Sequence, residues 1–198
     1  MNQTEKILEI ARNSGIIRAI DLKKAGVSRN YLYKLHESGL LFKISRGLYK
    51  LPKTPVTEHS IFSEIAKRIP KAVICLLSAL TFHGATTQLP HEIWIALPKG
   101  AWRPHLDYPS RNVTYVSGEA YFFGVKEHKI DGVIVKIYSP AKTVADCFKF
   151  RNKVGLDVAI EALREVWRSR KATMDELFEA AKTNRMLRIM RPYLEAMA

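Results

Sequence analysis

Four side chains within residues 26–39 have the chemistry to recognise nucleic acid: Arg29, Asn30, Tyr33 and Lys34. Arginine and asparagine can make paired hydrogen bonds to base edges, whereas lysine and tyrosine reach backbone phosphates. On a helix that turns by about 100° per residue, these four share one side, and Tyr31, Leu32 and Leu35 share the other. The segment therefore predicts a DNA recognition helix. The alternative is an ordinary solvated helix face, and Glu37 on the same polar side counts in favour of it.

The ends of this helix are marked by residues that are typical of helix caps. Ser28 is the predicted N-cap and a member of the DNA-binding set, because its hydroxyl can accept a hydrogen bond from a free first-turn N–H. Gly39 is predicted just beyond the C-cap, where the left-handed backbone conformation is common. Two short helices are predicted upstream, at 4–13 and within 16–25. Three helices with a glycine turn before the third indicate a helix-turn-helix.

A β-hairpin is predicted directly after the recognition helix. Apolar residues from Phe42 to Tyr49 flank the turn Ser45-Arg46-Gly47, and a hairpin at this place in the order is a wing. Its predicted DNA-binding side chains are Lys43, Ser45, Arg46 and Lys50. Residues 1–52 hold ten basic and four acidic side chains, so positive charge is concentrated in this part of the chain.

The composition of the 198 residues limits the classes of partner. The net charge of +13 predicts a polyanionic partner, with nucleic acid ahead of an acidic membrane surface. No apolar run approaches the roughly 20 residues needed to span a bilayer. The two cysteines, Cys75 and Cys147, lie in apolar runs without metal-type spacing, which predicts reduced core thiols in a cytoplasmic protein without a bound metal or cofactor.

The rest of the chain predicts a second, larger domain. Two prolines within residues 52–55 indicate a linker at 53–56 between a winged helix-turn-helix domain at 1–52 and a domain at 57–198. In that domain a helix is predicted at 57–69 and another through Ser78–His83. Strands are predicted at 92–97, 112–117, 121–125 and 132–138, and helices at 141–150, 155–170, 174–182 and 185–197. The predicted fold class is α+β, with a small, mostly antiparallel sheet and C-terminal helices.

Ser78, His83 and Asp146 are the residue types of a hydrolytic triad, yet their pattern argues against catalysis. Ser78 and His83 lie five residues apart on one predicted helix, and no nucleophile elbow surrounds Ser78. Asp146 is predicted to anchor a neighbouring backbone group. The histidines also form no metal-ligand pattern. With neither a catalytic triad nor a metal site, the chain is predicted not to be an enzyme.

A second basic surface is predicted near the C-terminus. Its members are Arg168, Arg170, Lys171, Arg185 and Arg188. Such a surface suits contact with DNA or with a protein partner, and a solvated face is the alternative.

Three segments, in the same order, resemble the AbiEi antitoxin family. The first is the wing that ends Arg46-Gly47-Leu48-Tyr49-Lys50-Leu51-Pro52. The second is Leu77-Ser78-Ala79-Leu80-Thr81-Phe82-His83-Gly84, followed by Ile93-Trp94-Ile95-Ala96-Leu97-Pro98. The third is Val135-Lys136-Ile137-Tyr138-Ser139-Pro140-Ala141-Lys142-Thr143-Val144-Ala145-Asp146-Cys147. The resemblance covers essentially the whole chain. One departure is Lys142, which stands where the family more often has arginine. Lysine, unlike arginine, cannot make a planar, two-pronged contact.

The resemblance implies the antitoxin of a type IV toxin–antitoxin operon, a kind of system used in phage defence. Such proteins repress their own promoter through the winged helix, on inverted repeats of double-stranded DNA. Through the C-terminal domain they counteract a nucleotidyltransferase-like toxin, without a stable complex. Two alternatives stay open, namely an antitoxin that binds the toxin directly and a stand-alone winged-helix regulator. The oligomeric state stays open as well.

Overall fold

The computed structural model describes residues 2–54, 57–102 and 110–197, which divide into two compact units. The N-terminal unit consists of residues 1–70 and 128–135. The C-terminal unit consists of residues 71–127 and 136–198. The helices and strands of both units confirm the α+β fold class that the sequence predicts.

The N-terminal unit combines helices with a three-stranded antiparallel sheet in the order β1-β3-β2. Its elements are α1 (Gln3–Ser14), β1 (Ile16–Arg18), α2 (Ala19–Lys24), α3 (Asn30–Glu37), β2 (Phe42–Ser45), β3 (Leu48–Lys50) and α4 (Ser60–Arg68). The sequence predicts the two strands of the wing but not the strand β1, which adds to the edge of the sheet beside β3. The two β-branched isoleucines of β1 are buried and pair with residues 49 and 50 of the wing, a partner that is distant in sequence.

Helix α4 belongs to the N-terminal unit, whereas the sequence prediction assigns residues 57–69 to the second domain. The ammonium of Lys67 lies 3.6 Å from the carboxylate of Asp21 on α2. The buried hydroxyl of Ser63 donates to the carbonyl of Ile130, at 2.8 Å. These contacts join α4 to the N-terminal unit. The boundary between the compact units therefore lies after α4, at residues 70–71, rather than at the proline-rich segment.

A second chain segment, residues 128–135, completes the N-terminal unit. The carboxylate of Asp131 accepts hydrogen bonds from the hydroxyls of Thr57 at 3.0 Å and Ser60 at 2.5 Å. Gly15 has a φ of +64°, and a Cβ at this position would lie 1.6 Å from the carbonyl oxygen of Asp131. The backbones thus approach so closely that only glycine fits at position 15.

The C-terminal unit is built around a five-stranded sheet in the order β6-β5-β4-β8-β7, whose last two strands also supply residues 128–135 of the N-terminal unit. Its elements are β4 (Val73–Ile74), α5 (Leu76–Phe82), β5 (Ile93–Pro98), β6 (Arg111–Val116), α6 (Glu119–Phe122), β7 (Val125–Ile130), β8 (Val133–Tyr138), α7 (Pro140–Lys149), α8 (Arg151–Val154), α9 (Leu156–Arg168), α10 (Met174–Thr183) and α11 (Leu187–Glu195).

Two details of this sheet differ from the sequence prediction. The sheet is mixed rather than mostly antiparallel, because β5 runs antiparallel to β4 but parallel to β6, and β4 runs parallel to β8. The strand predicted at 121–125 is instead α6, with β7 beginning at Val125. The hydroxyl of Tyr121 donates to the carbonyl of Lys71 at 2.5 Å, and its ring is buried in the core although the residue lies on a short helix.

Helix α7 lies at the centre of the C-terminal core, and it buries an ion pair. Lys142 Nζ lies 2.5 Å from Asp146 Oδ1 and 4.3 Å from the centre of the Tyr138 ring, and the amide of Asn184 donates to the same carboxylate oxygen at 2.8 Å. Asp146 thus pairs with side chains, rather than with the backbone group that the sequence predicts. Burial, with the charge of Asp146, raises the pKa of Tyr138 and of the Cys147 thiol. Both groups therefore stay protonated beside the ion pair.

We predict that Gly15→Ala destabilises the N-terminal unit far more than Gly39→Ala does. Both glycines have positive φ, but a Cβ at Gly39 would meet nothing within 4 Å. Gly39→Ala therefore costs only backbone strain, about 1 kcal/mol. Gly15→Ala adds a clash with the Asp131 carbonyl, and we expect a loss of roughly 3 kcal/mol or more. Chemical denaturation of the two variants measures the difference, and equal losses would contradict the close approach of Asp131.

Candidate nucleic-acid interface

Helix α3 is fixed at both ends by local hydrogen bonds. The hydroxyl of Ser28 accepts from the N–H of Asn30 at 3.4 Å, so it serves the first turn although the helix itself begins at Asn30. At the other end the N–H of Leu40 donates to the carbonyl of Leu35 at 2.9 Å, and Gly39 has a φ of +73°. This is the left-handed helix end that the sequence predicts, and it stops the helix before the wing.

The two faces of α3 differ sharply in burial. Leu32 and Leu35 are 2% and 4% exposed and belong to the core of the N-terminal unit, with Tyr31 packed at its edge. The four predicted DNA-binding side chains of this helix are all exposed: Arg29, Asn30, Tyr33 and Lys34. The helix therefore presents one continuous polar face to solvent. Glu37 is also exposed, one turn beyond Tyr33 and Lys34, at the C-terminal end of the helix.

The wing is held against α3 by an aromatic contact. The rings of His36 on α3 and Tyr49 on β3 lie 6.1 Å apart in an edge-to-face arrangement. The Nδ1 atom of His36 also lies 3.1 Å from the carbonyl oxygen of Leu41. Burial and the neighbouring Tyr33 raise the pKa of Tyr49, which keeps its phenol neutral. These contacts fix where the hairpin begins relative to α3.

The four predicted wing residues fall into two pairs. Lys43 and Arg46 are exposed, on β2 and at the hairpin turn. Ser45 is half-buried, and its hydroxyl accepts a hydrogen bond from Arg68 on α4. Lys50 is half-buried and lies near Glu64, whose pKa is raised by burial against the opposing charges of Arg68 and Lys50. Ser45 and Lys50 therefore have partners inside the N-terminal unit, whereas Lys43 and Arg46 extend to solvent.

The members of the predicted second basic surface have different surroundings in the C-terminal unit. Arg168, at the end of α9, lines two adjacent cavities, and Arg185 lines a third that shares no residue with them. Lys171 donates to the carbonyl of Gly84 at 2.9 Å and so joins two helix ends. Arg170 follows α9 with a φ of 53°, and Arg188 is exposed on α11.

The three residues of triad type are each engaged separately. The Ser78 hydroxyl accepts from the N–H of Trp94 at 2.9 Å, and His83 Nε2 lies 2.7 Å from the carbonyl oxygen of Tyr138. Asp146 is committed to the buried ion pair with Lys142. Within residues 2–54, 57–102 and 110–197, no three histidine, cysteine, aspartate or glutamate side chains group as metal ligands. No helix within the same ranges has the length and apolar character to cross a bilayer.

We predict that Leu32→Ala and Tyr33→Ala, at adjacent positions of α3, change the stability by very different amounts. Leu32→Ala removes a buried side chain and should cost about 2–5 kcal/mol of unfolding free energy. Tyr33→Ala removes a side chain that is 56% exposed and should change stability by no more than about 0.5 kcal/mol. Thermal or urea unfolding checks both. A large loss for Tyr33→Ala would mean that the polar face of α3 packs against protein.

Comparison with known proteins agrees with this arrangement. Residues 5–52 match a family model described as "Transcriptional regulator, AbiEi antitoxin". No curated protein sequence matches the chain significantly. Among solved structures, a crystal structure of the RV2827C protein from Mycobacterium tuberculosis is similar with a TM-score of 0.58 and 11% identity, over 98% of this chain and 80% of that one. At this identity the likeness concerns the fold alone. The resemblance predicted from the sequence is thus confirmed for residues 5–52, which match the AbiEi antitoxin family model.

Proposed function

We propose that this protein is an antitoxin that represses its own operon by binding inverted repeats in its promoter. The observation that carries the proposal is the exposed polar face of α3, held on a buried leucine stripe beside a wing with exposed Lys43 and Arg46. The net charge of +13 supports a polyanionic partner. The family description, which includes transcriptional regulation, is in accord with this function.

In the proposed complex, the N-terminal end of α3 enters the major groove, as in helix-turn-helix proteins generally. Arg29 pairs with a guanine edge and Asn30 with an adenine edge, since those side chains match those bases in two-pronged geometry. Lys34 and Tyr33 contact phosphates. Lys43 and Arg46 hold the backbone beside the groove, whereas Ser45 and Lys50 support the wing from inside the protein.

Inverted repeats require that two copies of the chain bind with opposite orientations. Two bound copies occupy the promoter and block access of RNA polymerase, so the protein represses its own operon. The proposed antitoxin activity resides in the C-terminal unit, residues 71–127 and 136–198, and opposes a nucleotidyltransferase-like toxin. This second activity rests on the family resemblance, because α3 and the wing account only for DNA binding.

We predict that Arg29→Ala and Asn30→Ala each relax sequence preference. Removing one base-reading side chain should cost about 1–3 kcal/mol on the operator and much less on unrelated DNA. Titration of the full chain with promoter DNA and with a scrambled duplex, at one fixed salt concentration, measures the ratio of the two affinities. A double variant that binds the operator as tightly as the parent would refute the recognition-helix assignment.

Two further variants separate base reading from phosphate binding in the same experiment. Lys43→Ala with Arg46→Ala should weaken binding to both duplexes alike. The slope of log K against log salt should fall by about 0.9 for each phosphate that the variant no longer neutralises. Arg12→Ala is the matched control, because it removes one exposed positive charge from α1 rather than from α3 or the wing. It should leave the affinity for each duplex and the salt slope nearly unchanged.

Direct binding of the toxin is a second candidate, favoured by one feature of the C-terminal unit. A cavity of about 760 Å³ between α9 and α11 is lined by apolar side chains, including Trp167, Tyr193 and Met197, with Arg164 and Arg168 beside them. Apolar anchors edged by arginine are typical of protein-binding sites.

We predict for this candidate that the full chain co-purifies with its toxin, and that Arg164→Glu with Arg168→Glu abolishes the association while operator binding persists. Arg191→Glu, on the exposed side of α11, is the control charge reversal. Antitoxin activity that survives the double reversal, without co-purification, would instead support action without a stable complex.

A further inference from the structure

A polar cavity in the C-terminal unit is not used by the proposed function. Its volume is about 590 Å³, within the range of small-molecule sites. Its lining residues are Ser117, Gly118, Glu119, Ala120, Lys149, Glu179, Lys182, Thr183 and Arg185. Three of them are basic, namely Lys149, Lys182 and Arg185. Only Arg185 belongs to the basic surface predicted from the sequence. The other two join it because the ends of α7 and α10 meet in the fold.

Three cations converge on this cavity from two helix ends. Lys149 is the last residue of α7, Lys182 lies in the last turn of α10, and Arg185 follows it. Burial lowers the pKa of Lys149; Asp146 opposes the shift, and the charges of Lys142 and Arg185 add to it. A negatively charged ligand would relieve the repulsion between Lys149 and Arg185.

The two carboxylates of the lining leave these cations available. In the part of the chain that the structure describes, neither Glu119 nor Glu179 forms an ion pair within 4.0 Å with Lys149, Lys182 or Arg185. The cavity therefore offers separate positive and negative groups, rather than closed internal salt bridges. A ligand with phosphate at one end and hydroxyl or amino groups at the other matches this arrangement.

The backbone at Arg185 is strained. Arg185 has a φ of 58°, and the N–H of Met186 donates to the carbonyl of Ala181 at 2.7 Å, which is a left-handed helix end. Glycine is the favoured residue at such a position, and Gly39 occupies the equivalent place after α3. Arginine keeps the strain that glycine would relieve, and it adds a guanidinium to the lining of the cavity.

We propose that this cavity binds a small phosphate-bearing molecule of the nucleotide class. Lys149, Lys182 and Arg185 contact its phosphates, and the hydroxyls of Ser117 and Thr183 donate to phosphate oxygens. Glu119 and Glu179 accept from ribose hydroxyl or base amino groups. The site is independent of the DNA-binding face, so the protein binds phosphate groups at separate sites on its two units.

Isothermal titration of the full chain with GTP, ATP and pyrophosphate, at constant ionic strength, tests the proposal. We expect one nucleoside triphosphate bound per chain, and tighter binding of the nucleotide than of pyrophosphate because the carboxylates contact the nucleoside. Arg185→Gly should weaken binding about tenfold or more, because it removes a charge-assisted hydrogen bond. Its melting temperature should not fall, since glycine relieves the positive φ.

Arg170→Gly is the matched control, because Arg170 has the same helix-end conformation after α9 but does not line the cavity. It should leave nucleotide affinity unchanged. Absence of binding by all three probes, or an equal decrease of affinity in both variants, would overturn the proposal. It would equally be overturned if Arg185→Gly weakened promoter binding and no nucleotide bound, since the cations would then serve DNA. A failure of operator recognition by α3 would leave the result for this cavity intact.

Discussion

The burial of Leu32 and Leu35 is the constraint on which the DNA-binding account depends. Each leucine is at most 4% exposed, and burying such a side chain contributes about 1.5–3 kcal/mol. With that stripe fixed in the core, the helical period leaves Asn30, Tyr33 and Lys34 no orientation except outward. The Ser28 hydroxyl and the Gly39 turn fix where the helix starts and stops. The polar face is thus a consequence of packing on its opposite side.

The N-terminal unit is completed by residues that are far away in the sequence. Asp131 accepts hydrogen bonds from Thr57 and Ser60, and Ile130 accepts one from Ser63. A fragment that ends at residue 52 lacks α4 and the 128–135 segment, and so exposes surface that the full chain buries. Closing such a long loop costs entropy, so the late segment must contribute favourable contacts to the stability of the N-terminal unit. The C-terminal unit has its own core around α7, which includes the buried pair of Lys142 and Asp146.

Local signals in the sequence predicted the elements that carry the proposed function, and non-local contacts account for what it missed. The caps, the leucine spacing and the Ser45–Gly47 turn act within a few residues, so α3 and the wing were predictable. Pairing of Ile16 and Ile17 with the wing and the parallel pairing of β5 and β6 depend on distant partners. The same holds for the hydrogen bond from Asn184 to Asp146 and for the position of Lys149 beside Arg185. Tyr121 was misassigned because aromatic residues favour strands, whereas here the ring is buried from a helical turn.

Affinity cleavage from α3 itself tests the central claim most directly. Both native cysteines are buried, Cys75 at 1% and Cys147 at 0% exposure, so Tyr33→Cys gives a single exposed thiol to which an iron chelate can be attached. The account predicts strand cuts confined to the two half-sites of the inverted repeat, and no such cuts when the parent chain, whose two thiols are buried, is treated with the same chelate. Uniform weak cutting from position 33, or cuts only outside the protected promoter segment, would contradict the placement of α3 in the groove.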